Sequence, residues 1–400
     1  MPPIYEAKLT SAKEGFTLPC FRISSDDLNT KARAPWSVTK LTLSGGTHEG
    51  VEVVEVDNGA MVIRVSPTRG MGILDVRSGE DRFGWDSPVK EVVHPALLDL
   101  EARGGLGWLA GFNEWMCRCG LESNGMPGED TFVDGSGNER KVFLTLHGRI
   151  ANVPASEASV SVLLEKPYTI TLKGTVAESS MFMPNFVLET ALSVVPGETT
   201  FTLTDVVQNA RGVTEEMQML YHTNFGVPLL EKGARFVAAI RKIAPRDARA
   251  AETMKTFDLY GTPEAGYVEA VYFMKLQADR RGETRVLLKD ARGTRGSSIS
   301  FSVKELPCFT VWKNTSALAD GYVTGLEPAT NFPNMRRFER TKRRTVRMRP
   351  GMRYRMSLEF ALHRGKDEVA QVEKYIRTLT KRPPIICKEP DPEFSAVGQK

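Results

Sequence analysis

The sequence predicts an all-β protein with few, short helices, and three observations carry that prediction. Short runs alternating apolar and polar residues recur from about residue 40 to 362, the period-two signature of half-buried strands. Turn chemistry punctuates them: Asp57-Asn58-Gly59, Val195-Pro196-Gly197-Glu198 and Arg349-Pro350-Gly351-Met352 each suit a tight reversal between two such runs and read as hairpins. Only two stretches look helical, 94–105 and 367–379.

In chain order, VEVVEV (51–56) and MVIRV (61–65) form the first hairpin, and GILDV (72–76) continues the pattern. KVFLTLHGRI (141–150), VSVLLE (160–165), YTITLKGTV (168–176), FVLETALSVV (186–195) and TTFTLTDVVQN (199–209) follow. TRVLLKD (284–290), SISFSV (298–303), RTVRMR (344–349) and YRMSLEFAL (354–362) complete the set. The second helical stretch places Val369, Val372, Ile376 and Leu379 on one face, and two prolines follow its end.

Hydrophobic residues are 41% and charged residues 26% of the 400, which excludes a largely disordered chain and supplies a large core. No Pro/Ser/Gly-rich linker interrupts the strand pattern. One domain over 40–380 is therefore expected, with an N-terminal extension, 1–39, packed on it and a tail, 381–400. So many strands call for a closed or double-layered sheet to limit free edges.

Net charge is +4, from 53 basic and 49 acidic residues, too balanced for a nucleic-acid footprint. The basic run Arg336, Arg337, Arg340, Lys342, Arg343, Arg344 and Arg347 reads as a solvated face or the rim of an anionic-ligand site. No apolar segment approaches the length of a membrane span and the start has no apolar signal core, so a cytoplasmic protein without a membrane partner is expected. The five cysteines are scattered and odd in number, as for reduced thiols. Cys117-Arg118-Cys119 lacks the spacing of a structural zinc site, and no metal is expected.

Of five histidines, His48, His94 and His363 lie in turns or at element ends and read as structural. His147 sits in LTLHGRI, beside Gly148; if that strand continues, Arg149 faces the same side. His222 sits in MLYHTNFG, with Asn224 two residues on. Glu327 stands unpaired among uncharged neighbours in TGLEPATN, where a carboxylate is either satisfied by donors or used as a base. GFNEWMCRCGLESNG (111–125) is dense in polar groups, Asn113 and Arg118 among them, and is expected to be a ligand-facing loop rather than a self-satisfied network.

These motifs in this order, LHGRI, LYHTNFG, GLEPATN and the Pro-Gly turn before the last strand, together with GFNEWMCRCGLESNG, resemble the galactose mutarotase (aldose 1-epimerase) superfamily, in a divergent branch of largely unknown function. The likeness runs from roughly residue 45 to 365. It implies a β-supersandwich of large antiparallel sheets whose concave face binds a sugar. It also implies Glu327 as catalytic base, His222 as general acid and His147 beside the sugar ring, with Arg149 or Arg103 gripping sugar hydroxyls. The acid-histidine segment departs from the usual Tyr-Phe-Asn run, reading Thr223-Asn224-Phe225, and the base is followed by Pro328-Ala329 rather than Thr-Gln. No residue matches the family's substrate-binding aspartate, Asp205 lying nearest.

The implied activity is a cofactor-independent mutarotase that opens and recloses an aldose or sugar acid. Glu327 takes the C1 hydroxyl proton and His222 protonates the ring oxygen, and a nearby Glu327 carboxylate is expected to favour the His222 imidazolium. Sugar contacts are expected from His147, Arg149, Arg103, Asn113, Arg118, Asn224 and Trp312, with Trp108, Trp115 and Phe225 as further aromatic candidates. The expected partner is a small carbohydrate, and the protein a monomer or homodimer. Two other readings stay open: a carbohydrate-binding or sensing protein without catalysis, and a metal-assisted isomerase or lyase using His147, His222 and Glu327 as ligands.

Overall fold

The computed structural model describes residues 3–397, and two large sheets dominate it. One has ten strands and the other fourteen, and a two-stranded hairpin, Gly128–Val133 with Glu139–Leu144, stands apart. Nearly all neighbours run antiparallel; the short strand Ile385–Ile386 is parallel to Ile240–Pro245. Between the sheets lies one apolar core to which both contribute alternate residues: Val160, Leu172, Leu188 and Leu203 from the smaller, Val38, Val54, Ile63 and Met219 from the larger. Each such side chain removed from water contributes roughly 1.5–3 kcal/mol. Trp115 bridges the layers, its ring 5.2 Å from Phe360 and 5.8 Å from Phe225. The all-β expectation is met.

Residues ahead of 40 enter both sheets. Ile4–Ser11 pairs with Glu157–Leu163 in the smaller sheet, and Cys20–Ser24 with Ser37–Thr42 in the larger, the latter strand running through the boundary expected at 40. Two expected hairpins form: Asp57 pairs with Val62, and Val194 with Phe201. The third does not. The turn at Pro350-Gly351 passes the chain from Val346–Met348, which pairs with Glu215–Phe225, to Arg353–Arg364, which lies in the smaller sheet. A tight reversal fixes local direction but not which strand each arm joins.

Helix Lys366–Leu379 buries Val369, Val372, Ile376 and Leu379 as the spacing predicts. The stretch 94–105 is instead two short helical turns, Pro95–Leu97 and Ala102–Gly105, broken by positive φ at Arg103 and Gly104. No helix is long and apolar enough to cross a membrane among the described residues. The basic run is paired in part, while Arg337, Arg343 and Arg347 are exposed. Arg336–Thr341 is helical; Arg336 is buried against Asp130, Arg340 bonds Asp130 and Glu216, and Arg344 bonds Glu339. Two of these acids, Asp130 and Glu216, come from distant strands that the local sequence does not display, whereas Glu339 lies within the run itself.

Five strands of the larger sheet frame the candidate site: β1 (Met116–Leu121), β2 (Glu215–Phe225), β3 (Ala270–Leu276), β4 (Cys308–Thr315) and β5 (Tyr322–Ala329). They lie side by side in the order β3-β4-β5-β2-β1.

Candidate active site

Register alone brings the central residues together. Thr310 of β4 faces Glu327 of β5, Thr223 of β2 faces Leu326, and His222 faces Cys117 of β1. Thr310, Glu327, His222 and Cys117 thus form one row across the sheet, and period-two alternation puts Trp312, Gly325 and Asn224 in the next row on the same face. Glu327 Oε1 lies 3.3 Å from His222 Nε2. Closeness here depends on Gly325: a Cβ at that position would lie 2.5 Å from Glu327 Oε1 and 3.0 Å from His222 Cε1.

The second ring nitrogen is also fixed. Asn224 donates its amide protons to the carbonyls of Glu114 and His222, at 3.0 and 3.1 Å. Its Oδ1 is therefore left to accept from His222 Nδ1, 2.7 Å away. With Nδ1 protonated, a neutral His222 turns the Nε2 lone pair toward Glu327. Oε1 is itself buried without a hydrogen-bond partner, so two acceptors face one another unless one proton lies between them.

Surroundings decide where that proton resides. The His222 ring is enclosed by Phe112, His147 and Trp312, with centroids 5.1, 5.5 and 5.5 Å away. Burial pushes the imidazole well below its ordinary 6.5, His147 adds to this, and the Asn224 bond opposes it. Burial likewise holds the Glu327 carboxyl well above its ordinary 4.5, reinforced by Glu269 and opposed by Arg246. Both shifts favour the uncharged forms, a carboxylic acid beside a neutral imidazole, whereas the sequence reading expects a Glu327 carboxylate that favours the imidazolium.

His147 reaches the same cavity from a turn. The expected strand 141–150 ends at Leu144, and His147 and Gly148 take positive φ of 58° and 70°. The chain reverses there, so Arg149 does not share the side of His147. His147 Nδ1 bonds the Asn124 carbonyl at 2.9 Å, its ring lies 4.6 Å from Trp108, and burial brings it down to about 4 against that bond.

These groups line a cavity of about 230 Å³. Trp108, Phe112, Leu146 and Val271 supply apolar wall, Leu106, Leu109 and Met126 supply its exposed parts, and Arg246, Glu269 and Thr310 add polar groups. Arg246 pairs with Glu269 at 2.9 Å and with Asp247 at 2.8 Å, while Trp312 Nε1 donates to Glu269 at 2.7 Å. Thr310 Oγ1 and Trp108 Nε1, like Glu327 Oε1, are buried with no partner. Three buried polar atoms without partners thus belong to side chains that line one cavity. Among the described residues no three His, Cys, Asp or Glu side chains are arranged to hold a metal ion.

The structure thus brings together Glu327, His222, His147, Asn224 and Trp312 from the expected set, and leaves the others elsewhere. Arg149 is exposed and lines a separate cavity of about 410 Å³ with Glu122 and Glu178. Arg103 is exposed outside the 230 Å³ cavity. Asn113 donates to the carbonyls of Val89 and Glu91, and Arg118 is buried between the sheets, bonded twice to Asp205. Trp115 and Phe225 are core residues. The expected ligand-facing loop 111–125 is largely strand and buried network, with Glu114 bonded to Arg69 and Asn124 to Asn331. Arg246, Glu269 and Thr310 went unread in the sequence. Thr310 alone carried a signal, its period-two relation to Trp312.

A family profile described as a domain of unknown function, DUF4432, matches residues 48–362. The chain belongs to the DUF4432 family. A crystal structure from Klebsiella pneumoniae, of a protein provisionally named an aldose 1-epimerase, superposes on this DUF4432 protein with a TM-score of 0.91 and 36% identity, covering 97% of this chain and 99% of that one. A galactose mutarotase-like protein from Clostridium acetobutylicum has a TM-score of 0.53 at 14% identity, over 78% of this chain and 96% of its own. A provisionally named aldose 1-epimerase from Escherichia coli gives 0.53 at 13%, over 79% and 100%. The fold is galactose mutarotase-like. No protein with a curated description matches.

Proposed function

We propose that this DUF4432 protein is a cofactor-independent isomerase of the aldose 1-epimerase type, exchanging the anomers of a small sugar held in the 230 Å³ cavity. The observation that carries the reading is the buried Glu327–His222 contact, 3.3 Å long, with an unpartnered carboxylate oxygen beside the cavity. The Klebsiella relative's name, at 36% identity over nearly the whole chain, supports the same kind of reaction.

Anomer exchange removes the proton from the C1 hydroxyl and adds one to the ring oxygen; the open chain then rotates about C1–C2 and closes. A pair holding one proton between two sites is suited to this. Its neutral form and its ion pair differ only by transfer of that proton, so hydrogen bonds from a bound sugar can draw the pair to Glu327 carboxylate and His222 imidazolium. Glu327 then accepts from the C1 hydroxyl while His222 Nε2 donates to the ring oxygen. Groups placed within hydrogen-bond reach contribute roughly 10²- to 10⁴-fold each. Trp108 and Trp312 offer faces for the C–H side of a pyranose, and Thr310, His147 and the Arg246–Glu269 pair offer partners for its hydroxyls.

Exchange spectroscopy on aldoses, from each anomeric form, tests the reading. Acceleration over buffer that disappears in Glu327→Gln supports it, and rates equal to buffer for every sugar bound would reduce the protein to a carbohydrate-binding one.

A further inference from the structure

We infer that the sugar is an uncharged 6-deoxyaldose, its methyl group seated against Leu106, Leu109 and Met126. The inference rests on the aldose reading of the same cavity. The cavity has a polar floor and an apolar rim. His222, Glu327 and Thr310 stand on the sheet floor, and Arg246 and Glu269 flank β3. Leu106, Leu109 and Met126 come from the segments before and after β1, and they are 38%, 48% and 43% exposed. Three large, partly exposed apolar side chains at one cavity offer a surface for an apolar group.

A methyl group that covers these side chains gains by removing apolar surface from water, whereas a hydroxymethyl group there finds no hydrogen-bond partner among them. Charge argues the same way. Among the described lining residues Arg246 is the one cation outside the histidines, and its guanidinium already meets Glu269 and Asp247 at 2.9 and 2.8 Å. A carboxylate or phosphate on the sugar would add negative charge beside Glu269 and Glu327 with no free cation to receive it. The volume, about 230 Å³, is below the roughly 300–1,000 Å³ of drug-sized sites and suits one ring without a further sugar or an aglycone.

Calorimetric titration of the full chain with matched 6-deoxy and parent hexoses, in the galacto, gluco and manno series of both hands, tests this, with hexuronates and hexose 6-phosphates alongside. The 6-deoxy member of the best-binding pair should bind roughly ten-fold or more tightly than its parent, and the anionic sugars weakest. Leu109→Asn and Met126→Gln, both at exposed positions, should each shrink the preference to within about three-fold, on the same scale of methyl discrimination. Equal or tighter binding of the parent hexose, tighter binding of an anionic sugar, no binding by any, or a preference untouched in both variants would overturn the inference. Failure of the underlying reading looks different: the 6-deoxy preference persists in binding while anomer exchange is absent.

Discussion

Asn224 holds His222 in one tautomer. Its amide group is committed to two backbone carbonyls, so its oxygen must accept the Nδ1 proton at 2.7 Å, and Nε2 is left to exchange protons with Glu327. An asparagine that the sequence placed among the sugar contacts thus acts through the histidine beside it.

Asn224→Ala frees Nδ1 and lets the other tautomer form, in which Nε2 carries the proton and Nδ1 faces an empty space. kcat should fall about 10- to 100-fold, part of the general-acid contribution, with a smaller change in KM. Loss of sugar affinity with kcat intact would make Asn224 a binding residue instead.

Glu327→Gln removes the group that shuttles the proton but keeps shape and volume. Anomer exchange should drop by roughly 10²- to 10⁴-fold. Thermal stability near neutral pH should hold or rise, because a carboxyl that burial holds protonated above its ordinary range costs stability there, and an amide has no proton to take up on folding. A variant that unfolds would assign Glu327 a structural role.

Gly325→Ala separates activity from stability. The added methyl would fall 2.5 Å from Glu327 Oε1, the far end of a side chain, and 3.0 Å from His222 Cε1, so the carboxylate must swing aside and the ring give by a few tenths of an ångström while the backbone stays. The expected result is a melting temperature near wild type and exchange reduced at least ten-fold, one factor of ten in rate corresponding to about 1.4 kcal/mol of lost transition-state stabilisation. Full activity would mean the Glu327–His222 distance is not what catalysis depends on.

What the sequence disclosed follows from range. Alternation is local, so strands such as Thr200–Asn209 and the buried face of Lys366–Leu379 could be read directly. Residue type alone leaves His222, Glu327 and Trp312 open to structural uses; the motifs that resemble the mutarotase superfamily single out His222 and Glu327, and Trp312 is one of several aromatic candidates. Arg118 and Arg149 lie elsewhere for two reasons: a partner far along the chain, Asp205, holds the first, and a turn at His147 separates the second from the expected strand. Arg246 and Glu269 are ordinary surface types by sequence, and only the folding of β3 beside β4 brings them to the cavity.

Acid should destabilise the fold through His147. Burial brings this imidazole to about 4 in the folded chain against an ordinary 6.5. A depressed value means that its stabilisation is complete above pH 6.5 and is lost as pH falls through about 4, a span of up to roughly 3 kcal/mol at 1.36 kcal/mol per unit. Urea unfolding at pH 7.5 and pH 4.5 should show His147→Gln losing less stability on acidification than wild type. Equal losses would remove His147 from the account.

Arg118 should prove structural. It is bonded to Asp205 through two nitrogens, at 2.6 and 2.9 Å, and to the carbonyls of Gly70 and Met71, and Tyr221 donates to the same carboxylate. Arg118→Met strands a buried carboxylate and should cost about 3–5 kcal/mol, while Arg118→Met with Asp205→Leu should recover much of that, because the pair's attraction does little more than offset its own desolvation. Calorimetric melting of the single and double variants reads this directly. A single variant that melts like wild type but no longer binds sugar would return Arg118 to the ligand, whereas recovery in the double variant fixes it as a clamp between the two sheets beneath the strand that carries His222.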